Sequence, residues 1–402
     1  MNLLARFIDP IKWIKSESAA SRALIRFIAV FPYLENANTA ASIFRETLKP
    51  FKKELPKFFG AFFVISRLTP KIFVFLMRIG IRLFANRFIA GNGTKEITKT
   101  IKNYSERGYL VNIDILGEAV LSEKEAENYK NLYLRLINEL GPQLPSGALS
   151  ISLKSSAFYS QAFSSAPEHA SDKIVERMTP IFKALKRFNG HAFLDAEEYS
   201  FRQVHLLIFQ KLYKQFGGMV RFVIQGYLKT SFRMIWELYN INRATDPIHI
   251  RLVRGAYWDH ECYRAEILGW DESPVFTEKE DTDKNYEYVL SEGIAMGFKM
   301  IPGTHNIESV LVAEKIGAEF NQPITEYQFL YGIGEPYAKE LLRKNIPVRF
   351  YMPVLYPKGN LTEAMAYLAR RINESQVSFV MRGNDKDQER RLYERIQKRT
   401  AY

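Results

Sequence analysis

The chain has 402 residues, of which 47% are hydrophobic and 14% aromatic, and its formal net charge at pH 7 is +12. This apolar content excludes a disordered protein and is sufficient for one large domain with an extension, or for two domains. The single cysteine, Cys262, excludes a disulfide framework and a cysteine-rich zinc site. The lack of further cysteines also indicates a reducing compartment. Since the six histidines show no spacing typical of metal ligands, we expect no catalytic metal.

The positive charge indicates an anionic partner, which is either nucleic acid or an acidic membrane surface, unless the charge serves only solubility. The sequence shows no recognisable nucleic-acid-binding motif, so we expect no nucleic-acid partner. The basic residues are instead concentrated in the aromatic-rich N-terminal part, which favours peripheral binding to an anionic membrane surface.

Residues 1–90 have a helical period and are rich in Phe, Ile, Lys and Arg. Their longest apolar runs, Phe58–Ser66 and Ile72–Met77, are too short to span a bilayer, and Pro70 separates them. Met1–Ile14 lacks the layout of a signal peptide, because an acidic residue and a proline interrupt its apolar stretch. We predict an all-helical arm or cap that supports the main domain, forms a dimer or lies on a membrane.

From Gly91 onwards the pattern changes to a regular alternation of strand-like and helical segments. The predicted strands are Tyr109–Leu116, Ala148–Lys154, Ala192–Ala196, Val220–Tyr227, Ile248–Gly255, Phe298–Gly303, Glu326–Gly332 and Val348–Val354. Helical segments such as Glu123–Leu140 and Ile307–Ile316 separate them. The alternation predicts an α/β fold, a (βα)₈ TIM-like barrel over residues 91–380 followed by a charged helix at 381–402. A doubly wound open sheet is the alternative.

The active site of such a barrel lies at the C-terminal ends of its strands. Polar side chains at these ends are costly in an apolar fold unless they are paired or functional. Those at the predicted strand ends are Asp114, Glu118, Lys154, Asp195, Gln225, Arg251, Arg254, Thr304, His305, Asn306, Gln328 and Tyr351. Because every predicted strand contributes at least one of them, the sequence predicts a built pocket.

The segment after the last predicted strand, residues 361–375, is predicted to form a helix. The spacing of its polar residues places four of them on one face, namely Tyr367, Arg370, Arg371 and Glu374. Two adjacent guanidinium groups beside a tyrosine are either a solvated face or a clamp for a carboxylate or phosphate, which guanidinium binds in a bidentate manner. The residue pattern alone leaves both interpretations open.

Two stretches, RLVRGAYWDHE (Arg251–Glu261) and AYLARRINES (Ala366–Ser375), resemble the FAD-dependent proline dehydrogenases, and particularly the dehydrogenase domain of bacterial proline utilization A. The stretches ISLKSSAF, FVIQGY, GTHN and YQFLYGIGEP match the same family in the same order along the chain. The resemblance covers the whole predicted barrel. It implies a distorted (βα)₈ barrel whose last helix lies over the strand ends.

The resemblance implies oxidation of L-proline to Δ1-pyrroline-5-carboxylate, with hydride transfer to N5 of a non-covalent FAD and electrons passing to a membrane quinone. The enzyme would be cytoplasmic and peripheral on the inner membrane of a bacterium, or on the matrix side of a mitochondrial membrane. Since the chain ends soon after the barrel, we expect a monofunctional enzyme whose product passes to a separate pyrroline-5-carboxylate dehydrogenase. The oligomeric state stays open.

The resemblance also implies roles for individual residues. Lys154, Arg370 and Arg371 would bind the substrate carboxylate, which identifies the anion of the clamp. Asp195 and Glu118 would offset this positive charge, Glu118 by pairing with Arg370 when proline is absent. The residues that would enclose the pyrroline ring are Tyr257, Leu330, Tyr351 and Tyr367. Those that would contact the flavin are Gln225, Arg251, Val253, Arg254, Gly255, Ala256, Trp258, Thr304, His305, Asn306, Gln328 and Glu374.

Three alternatives stay open on the sequence. The flavin barrel of methylenetetrahydrofolate reductase would use a nicotinamide cofactor and a folate pocket, and the paired arginines beside tyrosines argue against it. A hydroxyproline dehydrogenase is the second alternative, and Tyr351 favours proline over hydroxyproline. A non-catalytic module that binds a membrane or nucleic acid through the basic arm would carry no flavin.

Overall fold

The computed structural model describes residues 19–85, 88–117, 120–322 and 324–359. They belong to two compact units. The first contains the described residues up to Ile89, and the second those from Ala90 to Lys358. The predicted helix over residues 361–375 and the predicted C-terminal helix at 381–402 lie outside the described residues.

The N-terminal unit is helical, as predicted. Its helices are α1 (Ala19–Val30), α2 (Ala37–Leu48), α3 (Phe59–Leu68) and α4 (Pro70–Ala85). Pro70 occupies the first position of α4, where a helix needs no backbone N–H, so it ends one helix and begins the next. Phe44 lies at the centre of the unit, with its ring centroid 5.3 Å from that of Phe27 and 4.7 Å from that of Phe73.

The second unit is a closed barrel of eight parallel strands in the order β1 to β8. The strands are β1 (Leu110–Ile115), β2 (Ser150–Lys154), β3 (His191–Asp195), β4 (Val220–Gln225), β5 (His249–Val253), β6 (Lys299–Gly303), β7 (Tyr327–Leu330) and β8 (Val348–Val354). β8 pairs with β1 from Leu110↔Arg349 to Ile115↔Val354, which closes the barrel. The predicted (βα)₈ fold is therefore confirmed, and the open-sheet alternative is wrong.

Helices surround the strands. They are α5 (Thr94–Glu106) before β1, α6 (Glu123–Leu140), α7 (Pro167–Lys186), α8 (Arg202–Phe216), α9 (Ser231–Tyr239), α10 (Trp258–Ile267), α11 (Lys279–Ala295), α12 (Ile307–Glu319) and α13 (Glu335–Arg343). The predicted bounds agree for α6 and β8. The structure ends β5 at Val253, two residues before the predicted end. There Gly255 adopts φ 129°, a backbone conformation that residues with a Cβ rarely adopt.

The strands alternate between two buried surfaces, and β8 shows this clearly. Phe350 packs edge-on against the rings of Tyr104 and Tyr109, so it faces the surrounding helices. Its neighbour Arg349 faces the other way and donates to both carboxylate oxygens of Glu326 at 2.8 and 2.9 Å. The barrel interior is thus unusually polar, and buried polar groups are tolerated only when they are hydrogen-bonded.

Two general properties of the described residues bear on function. No helix within the described ranges combines the length and the apolar character that are needed to cross a membrane. The same residues contain no group of three or more His, Cys, Asp or Glu side chains arranged to hold a metal ion.

Candidate active site

Four of the predicted site residues come together around the ends of β2 and β3. Asp195 at the end of β3 accepts hydrogen bonds on both carboxylate oxygens. Arg251 of β5 donates from Nη1 to Oδ1 at 2.8 Å, and Tyr351 of β8 donates its hydroxyl to Oδ2 at 2.8 Å. Lys154, at the end of β2, is the register partner of Asp195. The carboxylate of Asp195 is therefore the point at which three strands are tied together.

Ser152 strengthens this arrangement from one layer below. Its hydroxyl lies 3.1 Å from Oδ1 of Asp195 and accepts a hydrogen bond from Nδ2 of Asn112 at 2.9 Å. Asn112 in turn accepts from the hydroxyl of Ser150 at 2.8 Å. Since Asn112 supplies a donor to Ser152, the serine proton is left to point at Asp195. The sequence interpretation missed Ser152 and Asn112, although both stand two residues before a predicted site residue.

The partner of Lys154 is Asp114 of β1. The ammonium donates to both carboxylate oxygens, at 2.9 and 3.0 Å, and the Asp114 side chain is only 1% exposed. Burial alone lowers the pKa of Lys154, but the adjacent Asp114 carboxylate more than reverses this, so the net effect raises the pKa and keeps the lysine charged. Burial raises the pKa of Asp114, and the charge of Lys154 counteracts part of that rise.

This pairing adds a residue to the expectation that Asp195 and Glu118 offset the cations. Asp114 is the direct counter-ion of Lys154, and Asp195, which pairs with Arg251, also favours the charged form of the lysine. Asp114 was predicted as a strand-end residue but not as a counter-ion. Glu118 itself lies outside the described residues, so its predicted pairing with Arg370 stays a prediction. The same holds for Tyr367, Arg370, Arg371 and Glu374.

Arg251 has unused donor capacity. Its side chain is 5% exposed, and its guanidinium carbon lies 3.9 Å from the centroid of the Phe193 ring. Burial lowers its pKa, and the Asp195 carboxylate opposes this fall. The buried Nε and Nη2 atoms find no hydrogen-bond acceptor among the described residues. A buried donor without an acceptor is costly, so these atoms fit a ligand with ring nitrogen or carbonyl acceptors, such as a flavin.

The loop after β6 contributes three of the predicted flavin residues. Asn306 begins α12 by accepting the backbone N–H of Ser309 at 3.0 Å, and its own N–H donates to Oγ1 of Thr304 at 3.0 Å. Nε2 of His305 accepts the backbone N–H of Leu330 at 3.1 Å, which assigns the proton to the other ring nitrogen. His305 thus ties the end of β6 to the end of β7, where Leu330 lies beside Tyr351 in register.

Three other predicted flavin residues use a polar side-chain group in a hydrogen bond within the protein. Gln225 donates to the carbonyl of Glu197 at 2.8 Å, and Trp258 donates its indole N–H to the carbonyl of Phe276 at 2.9 Å. Arg254 donates to the hydroxyl of Ser309 at 3.2 Å and pairs with a carboxylate of α11. Their side chains therefore offer fewer groups to a cofactor than the sequence suggested.

Gln328 is directed away from the strand end. Its amide nitrogen donates to Glu326, which precedes the first residue of β7, at 2.6 Å. The remaining predicted residues, Val253, Gly255, Ala256 and Tyr257, follow one another at the end of β5 and lead into α10. A Cβ at Gly255 would lie 2.1 Å from the Tyr227 ring, so this turn can pass the ring only as glycine.

The chain is similar to known proteins over most of its length. A model of the proline dehydrogenase family matches residues 97–382. The bifunctional protein PutA of Escherichia coli (strain K12) is 30% identical over 331 residues, which is 76% of this chain and 24% of that protein. Proline dehydrogenase 1 of Bacillus subtilis (strain 168) is 26% identical over 313 residues, which is 77% of this chain and 93% of that protein.

A solved structure gives the same result. Proline utilization A from Bdellovibrio bacteriovorus, inactivated by N-propargylglycine, superposes with a TM-score of 0.79 at 27% identity, over 91% of this chain and 38% of that one. The chain spans about a quarter of the length of the PutA proteins that it matches in sequence, 24% for the Escherichia coli protein. From the family match, the shared barrel and the residues at its strand ends, the chain belongs to the proline dehydrogenase family.

Proposed function

We propose that this protein oxidises L-proline to Δ1-pyrroline-5-carboxylate with a non-covalently bound FAD, as the first step of proline catabolism. Residues 91–380 would form the catalytic domain, and residues 1–90 the arm. The observation that carries the proposal is Arg251, a buried cation anchored on Asp195 with two donors left for a ligand, beside the charged pair of Lys154 and Asp114. A family match over residues 97–382 supports it.

The bound flavin would supply the acceptor for the hydride that leaves the ring carbon beside the proline nitrogen. Lys154, kept charged by Asp114, would bind the substrate carboxylate together with Arg370 and Arg371 of the last helix. Asp195 would act by position rather than as a base, because both of its oxygens already accept hydrogen bonds in the described structure.

The ring of the substrate would lie against apolar and aromatic side chains. Leu330, the last residue of β7, and Tyr351 of β8 are neighbours in register. The hydroxyl of Tyr351 donates a hydrogen bond to Asp195, and this bond fixes the orientation of the tyrosine ring. Together with Tyr257 and Tyr367, these side chains would exclude water from the hydride transfer. Gln225, Thr304 and Gly255 would help to seat the flavin.

The electron acceptor is proposed to be a membrane quinone, which requires the protein to lie peripherally on a membrane. In a bacterium this would be the cytoplasmic face of the inner membrane, and in a eukaryote the matrix side of a mitochondrial membrane. The product would pass to a pyrroline-5-carboxylate dehydrogenase. The basic, aromatic-rich N-terminal part supports peripheral binding.

The test is an activity assay with a soluble dye as electron acceptor and chemical trapping of the pyrroline product. We expect turnover with L-proline and much weaker turnover with hydroxyproline. Preference for hydroxyproline would change the assigned substrate but keep the reaction. Turnover with NADH and no reaction with either imino acid would favour the methylenetetrahydrofolate reductase alternative, and a protein that binds no flavin would favour the non-catalytic module.

A further inference from the structure

The N-terminal unit exposes large apolar side chains on both α3 and α4. These are Val64, Leu68, Ile72, Phe75 and Ile79, and each is at least 41% exposed. Within each helix they are three or four residues apart, so they share one side of that helix. We call this set the outer apolar face.

The same helices bury a different side in the core of the unit. Phe59 of α3 and Phe73, Met77 and Ile81 of α4 are all buried. Helix α4 is therefore apolar on its inner and its outer side, whereas a surface helix of a soluble protein normally has a polar outer side. Scattered exposed apolar residues are ordinary, but a row of them along a helix whose other side is already buried marks an interaction site.

The charged residues on the same helices indicate which kind of partner the outer apolar face can bind. Arg67, Lys71, Arg78 and Arg82 are all exposed on the same two helices. Every charged residue between Glu54 and Glu96 in the sequence is Lys or Arg. A second copy of the chain would place identical cations opposite one another, which is unfavourable. A bilayer rich in anionic phospholipid offers both an apolar layer for the side chains and phosphate groups for the cations.

We propose that the outer apolar face docks on an anionic lipid bilayer, with its apolar side chains at the boundary of the acyl chains and its Lys and Arg side chains on the headgroup phosphates. The purpose of this docking rests on the proposed function, in which the electron acceptor lies in a membrane. The docking assigns the membrane contact to a particular surface. Phe75, the largest member of the face, makes the main apolar insertion, and Lys71 and Arg78 make two of the phosphate contacts.

The experiment measures flotation of the flavin-loaded full-length protein with two kinds of vesicle: phosphatidylcholine alone, and an equal mixture of phosphatidylcholine and phosphatidylglycerol. We expect binding to the anionic vesicles only, reversed by high salt. Phe75→Asp should weaken that binding at least tenfold. Phe163→Asp is the matched control, because Phe163 lies in the barrel unit and is 64% exposed against 62% for Phe75. It should bind as the wild type does.

Two further variants separate the contributions. Leu68→Asp, at a side chain that is 72% exposed, repeats the apolar test independently of Phe75. Lys71→Gln combined with Arg78→Gln should weaken binding and flatten its salt dependence while leaving the apolar side chains intact. Circular dichroism and thermal unfolding confirm that each variant is folded.

The proposal is overturned if the wild type does not bind anionic vesicles, if it binds neutral vesicles equally well, or if Phe75→Asp and Leu68→Asp both bind like the wild type. A change from dimer to monomer in Phe75→Asp, with unchanged lipid binding, would assign the face to contact between two copies instead. The dye-linked proline assay without vesicles is run on the same samples. If the wild type shows no such activity, the proposed function is contradicted. Flotation needs no turnover, so it tests the docking proposal separately.

Discussion

Tyr351 and Asp195 are joined across the barrel by a hydrogen bond of 2.8 Å, from the phenolic hydroxyl to Oδ2. The two residues belong to β8 and β3, which are not neighbours in the barrel, so the bond crosses the barrel interior. It couples a proposed wall of the substrate pocket to the carboxylate that also holds Arg251.

Tyr351→Phe removes this donor and leaves the ring in place. We expect a loss of about 0.5–1.5 kcal/mol in the free energy of unfolding, the usual net value of one hydrogen bond. We also expect a several-fold lower kcat/KM for L-proline, because Asp195 and Arg251 lose one of the contacts that fix their positions. Denaturant unfolding and dye-linked kinetics measure the two effects. Kinetics equal to those of the wild type would show that the bond has no role in the site.

Asp114→Asn leaves the buried ammonium of Lys154 without its counter-ion. Breaking one side of a buried ion pair costs about 3–5 kcal/mol, so the variant should be strongly destabilised. Burial then lowers the pKa of Lys154, and of the two carboxylates that opposed this fall only Asp195 remains. Proline binding should therefore weaken as the pH rises through the alkaline range, at a lower pH than in the wild type.

The matched control for Asp114→Asn is the double variant Asp114→Asn with Lys154→Met, which removes both charges. It should be more stable than Asp114→Asn alone, because no uncompensated charge is left in the interior. Denaturant unfolding of the three proteins makes the comparison. If Asp114→Asn were as stable as the wild type, the two charges would not be coupled in the way that the structure indicates.

The buried side chain of His205 makes the free energy of unfolding depend on pH. It lies on α8, is 2% exposed, and its ring stacks on Phe222 with centroids 4.6 Å apart. Burial lowers its pKa from 6.5 to about 3, so the folded protein keeps it neutral while the unfolded chain takes up a proton below pH 6.5. Stability is therefore fully present above pH 6.5 and is lost as the pH falls toward 3, by about 1.4 kcal/mol per pH unit.

His205→Phe cannot be protonated and keeps the stacked aromatic ring. Between pH 6.5 and pH 4 it should lose less unfolding free energy than the wild type. His249, whose pKa burial lowers from 6.5 to about 4, acts in the same direction and contributes to the acid sensitivity that remains. Urea unfolding at a series of pH values gives the slopes, and identical slopes for the two proteins would contradict the assignment to His205.

Arg371→Lys tests the carboxylate clamp that the family resemblance implies. Lysine keeps the charge but lacks the planar fork that binds a carboxylate through two parallel bonds. Proline affinity should fall strongly, while the flavin stays bound and its spectrum is unchanged. Arg233→Lys is the control, since the Arg233 side chain on α9 is 80% exposed and should tolerate the change. An unaltered affinity for proline in Arg371→Lys would remove the clamp assignment.

The barrel could be predicted because each strand carries its own local signal. The run Val348–Val354, for example, is apolar and bounded by turn residues, and the structure gives β8 the same limits. The position of Lys154 and Asp195 at strand ends follows from the same pattern, since parallel strands of a barrel end on one rim. Tyr351, which was predicted at the end of its strand, is instead the middle residue of β8.

The partners of these residues could not be predicted in the same way. A period of two shows which side of a strand a residue faces, but the contact between Lys154 and Asp114 depends on the register between β1 and β2, which no local pattern contains. The layer of Ser152 and Asn112 was missed for a related reason. Such residues look unremarkable in a strand until the barrel closes and brings them within hydrogen-bond distance.

The proposed activity is tested most directly by an absorbance spectrum of the purified protein, recorded without oxygen before and after addition of L-proline. We expect flavin absorption bands that bleach when L-proline is added. Flavin bands that L-proline leaves unchanged would contradict the proposed substrate. A colourless protein that also takes up no added FAD would contradict the assignment of Arg251 and the strand ends to a flavin site.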